Sequence, residues 1–136
     1  MKRWIERLLL IAVVVIVAVL TVTAVPVLGG GHLGGTWLLA HMAASGALVF
    51  VLPVFAIVGL WREIQDQATS PLQRWGFWAV VLSGLLTIAT VFVCMLPLPS
   101  TSAMETLIVS HGYAGWALAV ATIGLLIGCW RRRSKA

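Results

Sequence analysis

The chain has 136 residues, of which 61% are hydrophobic and 10% charged, with a mean hydropathy of +1.06. That balance excludes an ordinary soluble domain, and long apolar runs fill most of the length. The formal charge of +5 does not point to nucleic acid. It gathers in Lys2, Arg3 and Arg7 at one end and Arg131, Arg132, Arg133 and Lys135 at the other, beside segment ends, where topology signals belong.

The first run starts from Met-Lys-Arg-Trp-Ile-Glu-Arg and continues from Leu8 to Val25 without a charge. It has the order of a signal peptide, a basic start and then an apolar core. The core is longer than the usual ~7–15 residues and reaches spanning length, so a retained first helix over about 4–28 is expected. Val13, Val14, Val15, Val17 and Val19 suit a lipid-facing helix without chemistry. Pro26 and the run Gly29-Gly-Gly-His-Leu-Gly-Gly35 are expected to end it and to form an outer loop.

A second helix is predicted over about 36–61, followed by the charged turn Arg62–Ser70. Ser70-Pro71 reads as an N-cap with proline at the first helical position, opening a third helix over about 71–96. Pro97 and Pro99 stop that helix. Ser102-Ala-Met-Glu105 has capping-box spacing, so the fourth helix is expected over about 103–130.

Both connections on one side lack Lys and Arg, whereas the termini and the central turn carry the basic residues. The expected architecture is therefore all-α and integral to the membrane. It is an up-down bundle of four transmembrane helices in a single domain spanning 1–136, with cytoplasmic N- and C-termini. A multi-pass protein of the cytoplasmic (inner) membrane follows. Cys94 and Cys129 fall at opposite faces of such a bundle, too far apart for a disulfide. No C-x-x-C-H run occurs, which excludes covalent c-type haem attachment.

The chemistry concentrates in two matching stretches. Thr36-Trp-Leu-Leu-Ala-His-Met-Ala-Ala-Ser-Gly-Ala-Leu48 recurs in outline as Thr106-Leu-Ile-Val-Ser-His-Gly-Tyr-Ala-Gly-Trp-Ala-Leu118. At an offset of 70 (111 − 41), Thr, His, Ala, Ala and Leu coincide, as do Ile57 and Ile127. The second and fourth helices run in parallel, so His41 and His111 are expected at one depth in the outer leaflet. Each stands about 8 Å beyond its threonine at 1.5 Å per residue.

Two inward histidines at one level can take opposite axial positions of a single haem iron. One turn further on, Ala44 and Ser45 follow His41, and Ala114 and Gly115 follow His111. These small residues leave room for a flat macrocycle, and equally let transmembrane helices approach. An imidazole in hydrocarbon is costly unless its nitrogens find partners. Hydrogen bonding to a Ser or Thr of a neighbouring helix is the plainer way to satisfy it. A bare Zn or Cu site would need more ligands than this pair with His32.

His32 reads as a solvated loop residue, with a haem propionate or a quinone as its sharper alternatives. Met42, Met95 and Met104 read as packing residues, and Glu105 as part of its capping box. Trp37, Tyr113 and Trp116 fit an outer aromatic belt, while Trp4, Trp61, Trp75, Trp78 and Trp130 fit an inner one.

On His41 with Ala44 and Ser45, and on His111 in His-Gly-Tyr-Ala-Gly, the chain resembles small four-helix haem b membrane subunits of the cytochrome b type. These include the membrane anchors of formate dehydrogenases and hydrogenases. The resemblance implies one bis-histidine haem b held by His41 and His111, and a role in electron transfer within a larger membrane redox complex. Electrons would pass between an extracytoplasmic partner, a cytochrome or iron–sulfur protein, and the quinone pool or a neighbouring subunit. No bond chemistry by this chain alone is implied. Larger members carry two haems stacked across the bilayer, but the inner half of this chain has no histidine for a second. The contrasting expectation is a haem-free membrane protein, either a structural anchor or assembly subunit or a small transporter. A multidrug-type transporter needs a membrane-embedded acid, whereas Glu6 and Glu105 lie at helix ends.

Overall fold

The computed structural model describes residues 2–28, 33–65 and 71–133. These residues form four helices and no strand: α1 (Lys2–Leu28), α2 (Gly35–Gln65), α3 (Pro71–Met95) and α4 (Thr101–Arg133). Each contains a segment long and apolar enough to cross a bilayer: Trp4–Leu28, Gly35–Trp61, Pro71–Met95 and Thr101–Arg131. Hydrocarbon offers no partner to a backbone N–H or C=O, so a spanning segment of this composition satisfies its own polar groups as a helix. The protein is all-α and multi-pass.

Lengths exceed the minimum. The 25 residues of α3 rise about 38 Å, and the 33 residues of α4 about 50 Å, against a hydrocarbon thickness of roughly 30 Å. The surplus lies at the ends. α2 continues as helix through Gln65, across residues that the charge pattern assigns to the turn. α1 carries Pro26 inside its last turn and runs on to Leu28. α2 contains Pro53, which removes the N–H that would reach the Val49 carbonyl. Membrane helices tolerate such a proline better than soluble ones.

The helix starts are locally encoded. Gly35 opens α2 with a φ of 54°, a left-handed conformation that a Cβ would strain. At α4 the cap is Ser100 and not the expected Ser102. The Ala103 N–H donates to Ser100 Oγ at 3.3 Å, and the Met104 N–H donates to the Ser100 carbonyl at 2.8 Å. That is N-cap geometry, and it adds two residues to the helix. The expected N-cap Ser70 lies outside the described residues.

The chain divides into two compact units, Met1–Thr69 and Ser70–Ala136. Each contains a helical hairpin, α1 on α2 in the first and α3 on α4 in the second. In the first hairpin, Val13 and Val17 of α1 are buried, as are Ala44, Leu48, Leu52 and Phe55 of α2. The α2 positions follow one another at three or four residues, which is one helix face. Neighbouring Val15 and Val19 are exposed. The valine-rich helix thus turns one stripe to its partner and offers the rest to lipid.

The second hairpin is packed more closely. Gly76, Val80, Gly84 and Thr87 line the α3 side, and Ala114, Leu118, Thr122 and Leu125 the α4 side. A Cβ built on Gly76 would lie 2.9 Å from Leu125 Cα, and one on Gly128 would lie 3.0 Å from the Gln73 nitrogen. Backbones meet there because the side chains are absent, the usual device where lipid supplies no hydrophobic drive between helices. Hydroxyls inside the hairpins return to their own helices. Thr122 Oγ1 donates to the Leu118 carbonyl at 2.8 Å, and Thr87 Oγ1 to that of Ser83 at 2.8 Å.

Candidate functional site

His41 lies on α2 at the head of the buried stripe that continues through Ala44, Leu48 and Leu52, and its ring is half-buried. Opposite it on α1 stands Thr23, buried, with Oγ1 2.8 Å from His41 Nδ1. The same hydroxyl lies 2.8 Å from the Val19 carbonyl and 3.0 Å from that of Leu20, one turn back in its own helix. Thus α1, whose sequence reads as a helix without chemistry, contributes a polar partner to the histidine.

The second hairpin repeats the arrangement. His111 heads the α4 stripe of Ala114, Leu118, Thr122 and Leu125 and is half-buried. Its Nδ1 lies 3.0 Å from Oγ1 of Thr90, a buried residue of α3. Thr90 Oγ1 in turn lies 3.0 Å from the Leu86 carbonyl and 2.9 Å from that of Thr87. A second contact holds the same ring nitrogen, with His111 Nδ1 3.2 Å from the Thr87 carbonyl.

In both hairpins the threonine sits five residues before the end of its helix, Thr23 before Leu28 and Thr90 before Met95. Measured from the start of the histidine-bearing helix the two differ. His41 is six residues past Gly35, and His111 ten past Thr101. The spacing from Thr36 and Thr106 is equal, but Thr106 lies one turn inside α4. The earlier start of α4, set by Ser100, accounts for the offset.

The small residues near each histidine separate into two groups. Ala44 and Ala114 are buried within their hairpins, whereas Ser45 and Gly115 are half-buried at the margin. A Cβ on Gly115 meets nothing within 4 Å, and the same holds at Gly46 and Gly112. The i+3 alanine therefore belongs to the packed face of each hairpin, and the i+4 residue to its margin.

Of the other candidates, Met42 and Met95 are exposed and Met104 is half-buried. Trp37, Tyr113, Trp4, Trp61, Trp75 and Trp130 are well exposed, as belt residues are, and Trp116 is half-buried. Trp78 meets Phe77 edge-on at 5.6 Å between ring centres. Glu105 is exposed on the first turns of α4, and the cap it was expected to complete is formed by Ser100. His32 lies outside the described residues. Among the described residues no group of three or more His, Cys, Asp or Glu gathers to hold a metal ion, and Cys94 and Cys129 form no disulfide.

Thr23, Thr87 and Thr90 are the residues that sequence reasoning did not single out. Interhelical bonding of histidine to Ser or Thr was foreseen as a class, but hydroxyl residues recur throughout the chain. Only the packing of each hairpin selects these.

What the arrangement does chemically is orient a ring. A histidine on an apolar helix rotates about two side-chain bonds, and a hydrogen bond at Nδ1 fixes the plane in which Nε2 lies. No protein-family model, curated protein or solved structure matches the chain.

Proposed function

We propose that the chain is a haem b-binding electron-transfer subunit of a membrane redox complex, located in a bacterial-type cytoplasmic membrane, with His41 and His111 as the residues that would hold the haem. The observation that carries this reading is the repeated His–Thr pair. In each hairpin a half-buried imidazole is held through Nδ1 by a threonine of the preceding helix. Histidines that ligate a metal generally engage their other ring nitrogen with a hydrogen-bond acceptor, which fixes ring orientation and tautomer.

The donor set fits the group. Two histidine nitrogens would be enough protein ligands for a haem iron, whereas a bare zinc or copper site would take more than this pair. When bound, the haem supplies one-electron exchange between Fe(III) and Fe(II). The residues of the chain bind and orient. The two histidines provide nitrogens, Thr23 and Thr90 hold the rings, and the apolar side chains of each stripe keep water away. On the positive-inside reading both histidines lie towards the outer side. The electron partner is accordingly an extracytoplasmic cytochrome or iron–sulfur protein, with the quinone pool or a neighbouring subunit as the other terminus.

One observation favours a second reading. Thr–His hydrogen bonds also tie helices together in hydrocarbon, so a haem-free structural anchor or assembly subunit would use the same contacts. An absorption spectrum of protein purified after haem-replete expression separates the two. The proposal expects a Soret band and a sharp α band on reduction. Their absence would overturn it in favour of the anchor.

A further inference from the structure

Hydrogen-bond chemistry at the two threonines carries the site one step further. A threonine hydroxyl has one proton and two lone pairs. Thr23 Oγ1 has acceptors in its own helix at 2.8 Å (Val19) and 3.0 Å (Leu20), and Thr90 Oγ1 at 3.0 Å (Leu86) and 2.9 Å (Thr87). In both cases the i−4 and i−3 carbonyls lie within reach of the hydroxyl proton, and a proton given to them leaves the oxygen to accept from the histidine. For His111 a second contact agrees, because the Thr87 carbonyl 3.2 Å from Nδ1 can only accept. Nδ1 is then the protonated nitrogen, and Nε2 carries the lone pair. An unconstrained neutral imidazole prefers the opposite tautomer, with its proton on Nε2.

We infer that Thr23 and Thr90 are positioning residues: each holds its histidine, His41 or His111, as the Nδ1–H tautomer, so that Nε2 is the basic nitrogen. As a device for presenting Nε2 to a haem iron this rests on the function proposed above. The tautomer itself does not, and it can be measured without haem. Each hairpin makes its own pair, so the two positions test the inference separately.

The test uses the full chain in lipid nanodiscs, free of haem, with ¹⁵N-labelled histidine and mildly alkaline buffer. His41→Gln and His111→Gln assign the resonances. The expected ¹⁵N pattern at both histidines is a protonated Nδ1 and an unprotonated Nε2. Thr23→Val is expected to move His41 towards the Nε2–H pattern, and Thr23→Ser to restore it. Thr90→Val is expected to move His111 only partway, because the Thr87 carbonyl remains. An Nε2–H pattern at both histidines of the unmodified chain overturns the inference. An unchanged His41 pattern in a folded Thr23→Val variant removes Thr23 from the role.

Hemin titration of the same samples then addresses the haem reading on its own. The unmodified chain is expected to bind, and Thr23→Val to bind about 10–100-fold more weakly, the usual effect of losing the partner of a ligating histidine. An unmodified chain with Nδ1–H histidines that takes up no hemin overturns the proposed function while leaving the tautomer assignment standing. Equal hemin affinity in the unmodified chain and Thr23→Val overturns the positioning role.

Discussion

An imidazole in hydrocarbon has two nitrogens to satisfy, and each threonine engages Nδ1. For that reason the Thr–His bonds and haem ligation are compatible uses of a single side chain. On the proposed haem reading, His41→Ala and His111→Ala are each expected to abolish a low-spin bis-histidine spectrum, with optical and EPR spectra of the purified variants as the check. A low-spin spectrum kept by either variant would rule out the pairing. His32→Ala is expected to leave the spectrum intact. The threonine bonds themselves stabilise little, since interhelical hydrogen bonds in bilayers average about 0.6 kcal/mol. Thr90→Val should therefore cost under about 1 kcal/mol in reversible unfolding from mixed micelles. A much larger loss would mean that Thr90 works mainly as a structural tie. The histidines stood out in the sequence because titratable residues are rare in such a chain. Thr23 did not, because its partner is 18 residues away on another helix, and nothing in a linear reading ranks it above Thr21.

At the scale of the helices, the α3–α4 hairpin depends on two glycines where backbones approach. Gly76→Val and Gly128→Val are each expected to destabilise it by about 1–3 kcal/mol, the typical cost of overpacking. Gly46→Ala and Gly112→Ala, whose added Cβ meets nothing within 4 Å, are expected to be neutral. Equal effects across the four variants, measured by the same unfolding assay, would contradict the packing described. Ser100→Ala should cost about 1 kcal/mol through loss of the α4 cap. The capping-box spacing at Ser102 pointed to the right loop and to a start two residues late. Ser100 competes successfully because it follows Pro99, which favours an extended approach to the helix, and because its carbonyl and hydroxyl both receive N–H groups of the first turn.

For the whole molecule, hydropathy and charge are the basis of the proposed orientation. The connections at 29–34 and 96–100 contain no Lys or Arg, while both termini are basic. After Cys94 and Cys129 are changed to Ser, Ser100→Cys is expected to react with a membrane-impermeant maleimide on intact spheroplasts, and Arg133→Cys only after permeabilisation. The opposite labelling pattern would invert the proposed topology and move both histidines to the cytoplasmic side. The number of helices was legible because a run of apolar residues without charges has no other stable form in a bilayer.

Length, hydropathy and rare ionisable residues are linear properties, and they are enough to mark the all-α class, the four spans and the two histidines. Packing selects which hydroxyl meets each histidine, which ring nitrogen it engages, and which glycines carry the close approach. Those depend on the rotation and register of one helix against the next, and apolar segments with weakly marked faces leave rotation and register open until they pack.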